Sequence, residues 1–220
     1  MAWFVGAVLW ELVFDGPWDG PLPARLKSLW EHIVFCYNHL GSTSRLSMLP
    51  LSLFFSGTHQ YTCSRGKCAD CLELLYVLRE ICIEVDDGSE RDAHRLACFG
   101  CLCSIFDVCK SHHWTIPRPV AEEMLRQCDI FLVHYNWLAN YSKDLLRLNY
   151  NVVFKCHALW HILYHGRYLN PRFSWCFAFE DFVGVVIKSA QGCMAGSPLL
   201  IIGNKVLQNY LLDLQMRVRS

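Results

Sequence analysis

Three sets of residues have the types and spacing for chemistry. The first is Cys63, Cys68 and Cys71 with Cys98 and Cys101, which includes two C-x-x-C pairs separated by 26 residues. Such pairs hold a tetrahedral Zn²⁺ when each lies on a turn and the two turns face each other. The second is His157, His161 and His165, spaced four apart, so that neighbouring rings share a helix face and reach one metal ion. The third is Glu180-Asp181, two carboxylates that follow the aromatic run Trp175-Cys-Phe-Ala-Phe. Adjacent acids that open a helix are also explained by its dipole alone. No Glu follows His157, so the zinc-protease pattern lacks its general base. Gly-rich phosphate loops, a G-x-S-x-G elbow and the kinase motif set are absent from the sequence.

The elements that must position these residues read as helices. Cys68, Cys71, Leu75, Leu78 and Cys82 step by three and four, as do His94, Cys98, Cys101, Ile105 and Val108, and Ala121, Leu125, Cys128 and Leu132. This is the apolar stripe of an amphipathic helix. It makes the thiols small core hydrophobes and argues against Zn²⁺. Phe154, His157, His161, Tyr164 and Tyr168 have the same rhythm, which predicts half-buried packing imidazoles here in preference to a metal site. Helices are predicted over about 2–14, 23–40, 67–85, 89–112, 119–148, 153–168, 180–193 and 198–216. Residues 46–55 are read as a short helix or an extended piece, and 173–179 as a short extended aromatic segment or a lead straight into the next helix. Gly41 closes the second helix and Ser89 caps the fourth. The fold class is all-α, an irregular array of eight or nine helices. The chain reads as one helical unit, with an insertion-like region over 1–150 and a basic C-terminal region over 151–220.

Composition supports a folded chain. Of its 220 residues 53% are hydrophobic and 18% charged, which excludes intrinsic disorder. No apolar run reaches 18 residues, so no membrane partner is expected. Thirteen cysteines, placed on core stripes, fit a reducing intracellular compartment. Charge is uneven: residues 142–220 hold nine basic and four acidic residues, and the rest of the chain has the opposite excess. The C-terminal third is the part suited to a phosphate backbone.

Read together, Lys155-x-His157-x3-His161, Asn170-Pro171-Arg172-x2-Trp175-Cys-Phe-x-Phe and Glu180-Asp-Phe resemble a stretch near the C-terminus of CACTA-type (En/Spm-like) DNA transposases. The chain as a whole also resembles a multicopy family of dinoflagellate algal genomes. Leu9-Trp-Glu-Leu-Val-Phe-Asp-Gly-Pro, Ser44-Arg-Leu-x2-Leu-Pro-Leu-Ser-Leu-Phe and Glu180-Asp-Phe-Val-Gly carry that likeness. The transposase resemblance implies an RNase H-like core in which an acidic triad binds two Mg²⁺ or Mn²⁺ ions for phosphoryl transfer. Glu180 matches the last acid by position and is the implied catalytic and metal-binding residue, with His157 and His161 as further metal candidates. Lys155, Arg172 and Lys188 are the implied phosphate contacts. DNA is then the expected partner, together with a further protein segment, and the nucleus the expected location.

The first two acids of such a triad have no counterpart here, since Asp15 and Asp19 sit in a Gly/Pro turn. One carboxylate does not hold two ions. The chain is therefore expected to be the helical insertion plus the last acidic helix of a longer ancestor, inactive and without a cofactor by itself. A fragment of that kind is expected to show apolar patches near residues 1–14 and 173–179. Two other readings of the sequence are a helical interaction or scaffold module and a zinc-binding helical protein.

Overall fold

The structure, a computed structural model, describes residues 1–55, 60–152, 154–166 and 168–174, together with 204, 205 and 208. Met1–Trp175 form one compact unit and Cys176–Ser220 a second. The first unit holds six α-helices: α1 (Ala2–Phe14), α2 (Leu22–His39), α3 (Cys68–Glu84), α4 (Glu90–Ser111), α5 (Arg118–Asp144) and α6 (Phe154–His165). Single 3-10 turns lie at Leu51–Leu53 and Pro171–Ser174. The all-α expectation holds, with no strand among the described residues. The count of eight or nine does not hold. Residues 46–55 contribute only one 3-10 turn, and the two helices expected over 180–193 and 198–216 lie outside the described residues, as does most of the segment at 173–179.

Helix α1 is apolar on every side, and a helix of that kind belongs in an interior. Phe4, Val5, Val8, Leu9, Leu12 and Val13 are all buried. The Phe4 ring meets Phe99 of α4 edge-on at 4.7 Å and Phe131 of α5 at 6.2 Å. The apolar patch expected at residues 1–14 is therefore absent: α1 is the centre of the first unit and not a severed edge. Residues 62–64 cross α1 closely. The Ser64 N–H donates to the Ala2 carbonyl at 2.9 Å, and the Thr62 hydroxyl donates to the Asn149 carbonyl at 2.6 Å. Gly6 permits this crossing, because a Cβ at that position would stand 2.5 Å from the Ser64 nitrogen.

Caps fall where the sequence places them. Ser89 Oγ accepts the Asp92 N–H at 3.2 Å at the start of α4. Gly41 and Gly88 adopt left-handed φ values of 63° and 74° after α2 and α3. The predicted stripes of α3, α4 and α5 are buried at Cys71, Leu75, Leu78, Cys82, Cys98, Cys101, Ile105, Ala121 and Cys128. Helix α6 closes one end of the core, where Leu163 packs among Ile105, Cys109, Ile116, Met124 and Cys128.

Candidate functional site

The expected face of α6 is turned the other way. His157, His161 and His165 are exposed, as are Phe154 at 79% and Tyr168 at 65%. This corrects the reading of these imidazoles as half-buried packing groups. Leu163 is buried instead, and Leu159 and Trp160 are partly buried against the same cluster. They carry more apolar surface and spare the ring nitrogens desolvation.

Ring contacts run along α6, passing through the half-buried Trp160. Phe154 lies 5.8 Å from His157 between centroids, His157 lies 4.4 Å from His161, and His161 lies 5.3 Å from Trp160. Trp160 stacks on Tyr164 at 5.3 Å, Tyr164 meets His165 at 5.3 Å, and His165 meets Tyr168 at 6.4 Å. His157 Nε2 and His161 Nε2 are 2.9 Å apart. The helix sequence FKCHALWHILYH contains Lys155 and three histidines and no carboxylate. Asp129 of α5 reaches it, accepting from Trp160 Nε1 at 3.0 Å.

Arg172 stands beside this helix in the turn Pro171–Ser174 and is exposed. Its Nη1 donates to the Lys110 carbonyl at 3.3 Å. Asn170 gives the Asn-Pro-Arg segment a structural role that the sequence reading missed. Its Nδ2 donates to the carbonyls of Cys109, His112 and His113, each at 2.9 Å, and its Oδ1 accepts the Arg172 N–H at 3.0 Å. The Cys109 carbonyl is one that the end of α4 leaves without a helical partner, and the other two follow directly after the helix. Next to them Trp114 and Phe173 stack at 4.0 Å and 11°. Lys155 lies on α6, with its side chain outside the described residues; Glu180, Asp181 and Lys188 also lie outside them.

The cysteine pairs do not converge. Cys71, Cys98 and Cys101 are buried on α3 and α4, and every described cysteine is a free thiol. Burial pushes Cys82, Cys103 and Cys128 up to about 12 and Cys109 to about 11, so these groups stay protonated at neutral pH. Among the described residues, only Asp86, Asp87 and Asp92 bring three ligand-type groups together. Their oxygens are already engaged in the α3–α4 turn. Asp86 accepts the Gly88 N–H at 3.0 Å, Asp87 accepts the Ser89 N–H at 2.9 Å, and Asp92 pairs with Arg95 at 3.0 Å and Arg91 at 3.2 Å.

Asp92 belongs to a buried ionic cluster that the sequence reading also missed. Glu11 of α1 lies 3.4 Å from Arg95 and accepts the Tyr150 hydroxyl proton at 2.8 Å. Glu11 and Arg95 are each 3% exposed, and Asp92 is 1% exposed. Burial pushes the Glu11 carboxyl up, against the opposing pull of Arg95 and the Tyr150 hydroxyl. Asp15, Arg91 and Arg147 extend the cluster towards solvent through the Arg91–Asp15 pair at 3.8 Å and the Arg147–Asp15 pair. The three acids among these groups, Glu11, Asp15 and Asp92, face three guanidinium groups. Glu11 was legible only as a break in an apolar run.

A second imidazole pair joins α4 to α5. His94 Nδ1 and His134 Nδ1 are 2.8 Å apart, and the His94 ring lies flat on Trp137 at 4.0 Å. One ring must donate and the other accept, so protonating both nitrogens breaks the contact. Burial, and then His94, hold His134 below its ordinary 6.5. The unfolded chain therefore binds a proton that the folded chain refuses. This contribution is complete above about pH 6.5 and is lost as the pH falls below it. Urea midpoints are expected to drop on going from neutral to mildly acidic pH, and His134→Gln is expected to flatten part of that drop. An unchanged profile in the variant would dissociate the pair from acid sensitivity.

No family model, curated protein or solved structure matches the chain. Among the described residues, no helix is long and apolar enough to cross a membrane.

Proposed function

We propose that the chain is a non-catalytic nucleic-acid-binding helical module descended from a transposable-element protein of the CACTA type. The observation that carries this reading is the surface formed by α6 and the turn after it. Exposed Arg172 and the exposed rings of His157 and His161 accompany Lys155 on a helix that bears no carboxylate. Such a surface attracts phosphate and sets affinity without reading base sequence. The excess of basic residues after position 141 supports the same reading.

Catalysis in the ancestor rests on Glu180 and on Mg²⁺ or Mn²⁺, both of them by resemblance. The unit Met1–Trp175 has its own buried core, which suits a module that outlives its parent enzyme. Its acidic triple closes a turn and is paired to arginines, an arrangement that serves folding.

Fluorescence anisotropy of the full chain on labelled DNA tests the reading. Binding is expected to weaken steeply with salt, and Arg172→Ala is expected to make the slope of log K against log salt shallower by about one. Absence of binding at low salt would leave the protein-interaction reading in its place. Metal-dependent strand cleavage that Glu180→Gln abolishes would overturn the non-catalytic part.

A further inference from the structure

The exposed rings of α6 carry the charge argument further, to the form of nucleic acid. Duplex DNA offers a regular phosphate surface, and its bases are stacked on each other. A single strand offers unstacked bases, which settle on aromatic and imidazole faces. The outer side of α6 is lined by such faces along its whole length, Phe154, His157 and His161 at one end and Tyr164 and His165 at the other, and Tyr168 follows in the turn after it. Twelve residues at a rise of 1.5 Å make this line about 18 Å long.

The helix buries Leu163 with Leu159 and Trp160 on its other side, and Phe154 remains 79% exposed. Large exposed rings in contact with one another are uncommon on a surface with no ligand. The charge beside them selects the ligand. Lys155 and three histidines share the helix, and Arg172 follows it. A purely apolar partner would find this surface too basic, and an acidic polypeptide would leave the ring faces unused.

We propose that the outer face of α6 is a stacking platform for single-stranded nucleic acid, with Arg172 holding phosphate beside it. The inference rests on the nucleic-acid reading above and narrows it to one strand form.

The test uses the full chain with an oligothymidylate, a duplex of equal length and polyglutamate. The expected result is tighter binding of the single strand than of the duplex. The triple variant Phe154→Ala, His161→Ala, Tyr168→Ala is expected to lose about tenfold or more on the single strand, with little change on the duplex or in Tm. Arg172→Ala is expected to weaken both forms alike. Equal affinity for both strand forms, an unchanged triple variant, or polyglutamate binding as tight as the oligonucleotide would overturn the platform while leaving general nucleic-acid binding intact. Failure to bind either form would overturn the reading beneath it as well.

Discussion

Replacing Arg95 with methionine is expected to lower the free energy of unfolding by about 3–5 kcal/mol. Arg95 faces Glu11 at 3.4 Å and Asp92 at 3.0 Å, and all three side chains are shut away from water. Asp92 would keep Arg91, which is partly open to solvent and 3.2 Å away. Glu11 would keep only the Tyr150 hydroxyl. A buried carboxylate with one neutral donor is poorly compensated. The companion Glu11→Gln removes that stranded charge, so the double variant is expected to recover a large part of the loss. Urea unfolding of the four proteins checks both statements. A loss below about 1 kcal/mol for Arg95→Met, the range of an exposed pair, would show that water reaches the cluster.

Asn170→Asp is expected to cost about 3 kcal/mol or more at neutral pH. It turns a double donor into an acceptor facing three carbonyl oxygens that now lie 2.9 Å from Nδ2. The penalty includes the lost hydrogen bonds and the repulsion of a buried carboxylate by oxygens with no proton to offer. Acid reverses part of it, since a protonated carboxyl regains one donor. The variant should therefore gain stability as the pH falls from neutral towards the carboxyl range. The parent should weaken over the upper part of that range because of His134. Thermal melts across this range decide the matter, and parallel profiles for parent and variant would remove Asn170 from its capping role.

The legible part of this fold was local. Cysteine, leucine and aromatic positions at steps of three and four gave α3, α4 and α5 their buried sides, and Ser89 and Gly41 marked ends where capping chemistry acts on neighbours in sequence. On α6 the same rhythm fitted two opposite sides. Phe154, His157, His161 and Tyr164 repeat like Leu159 and Leu163, and periodicity alone does not say which series faces inward. Desolvation of imidazole decided it. Asn170 and Glu11 were opaque for another reason: their partners lie 57 to 61 and 84 to 139 residues away. A polar residue inside an apolar run does signal a hidden partner, and Glu11 within Leu9-Trp-Glu-Leu-Val-Phe was such a signal. Of the proposed site, the sequence marked His157, His161, Arg172 and Lys155, and it did not mark the ring-to-ring line that α6 presents.

The position of α1 has a consequence during synthesis. It leaves the ribosome before α2 to α6, and its partners Arg95, Phe131 and Tyr150 emerge much later. Helix α1 can dock early on α2 and α3, which follow it closely, but the ionic cluster around Glu11 stays incomplete until translation passes about position 150. The apolar surface of α1 is therefore sheltered by its own half-made bundle, and the buried charges of Glu11 and Arg95 are the last to find all their partners.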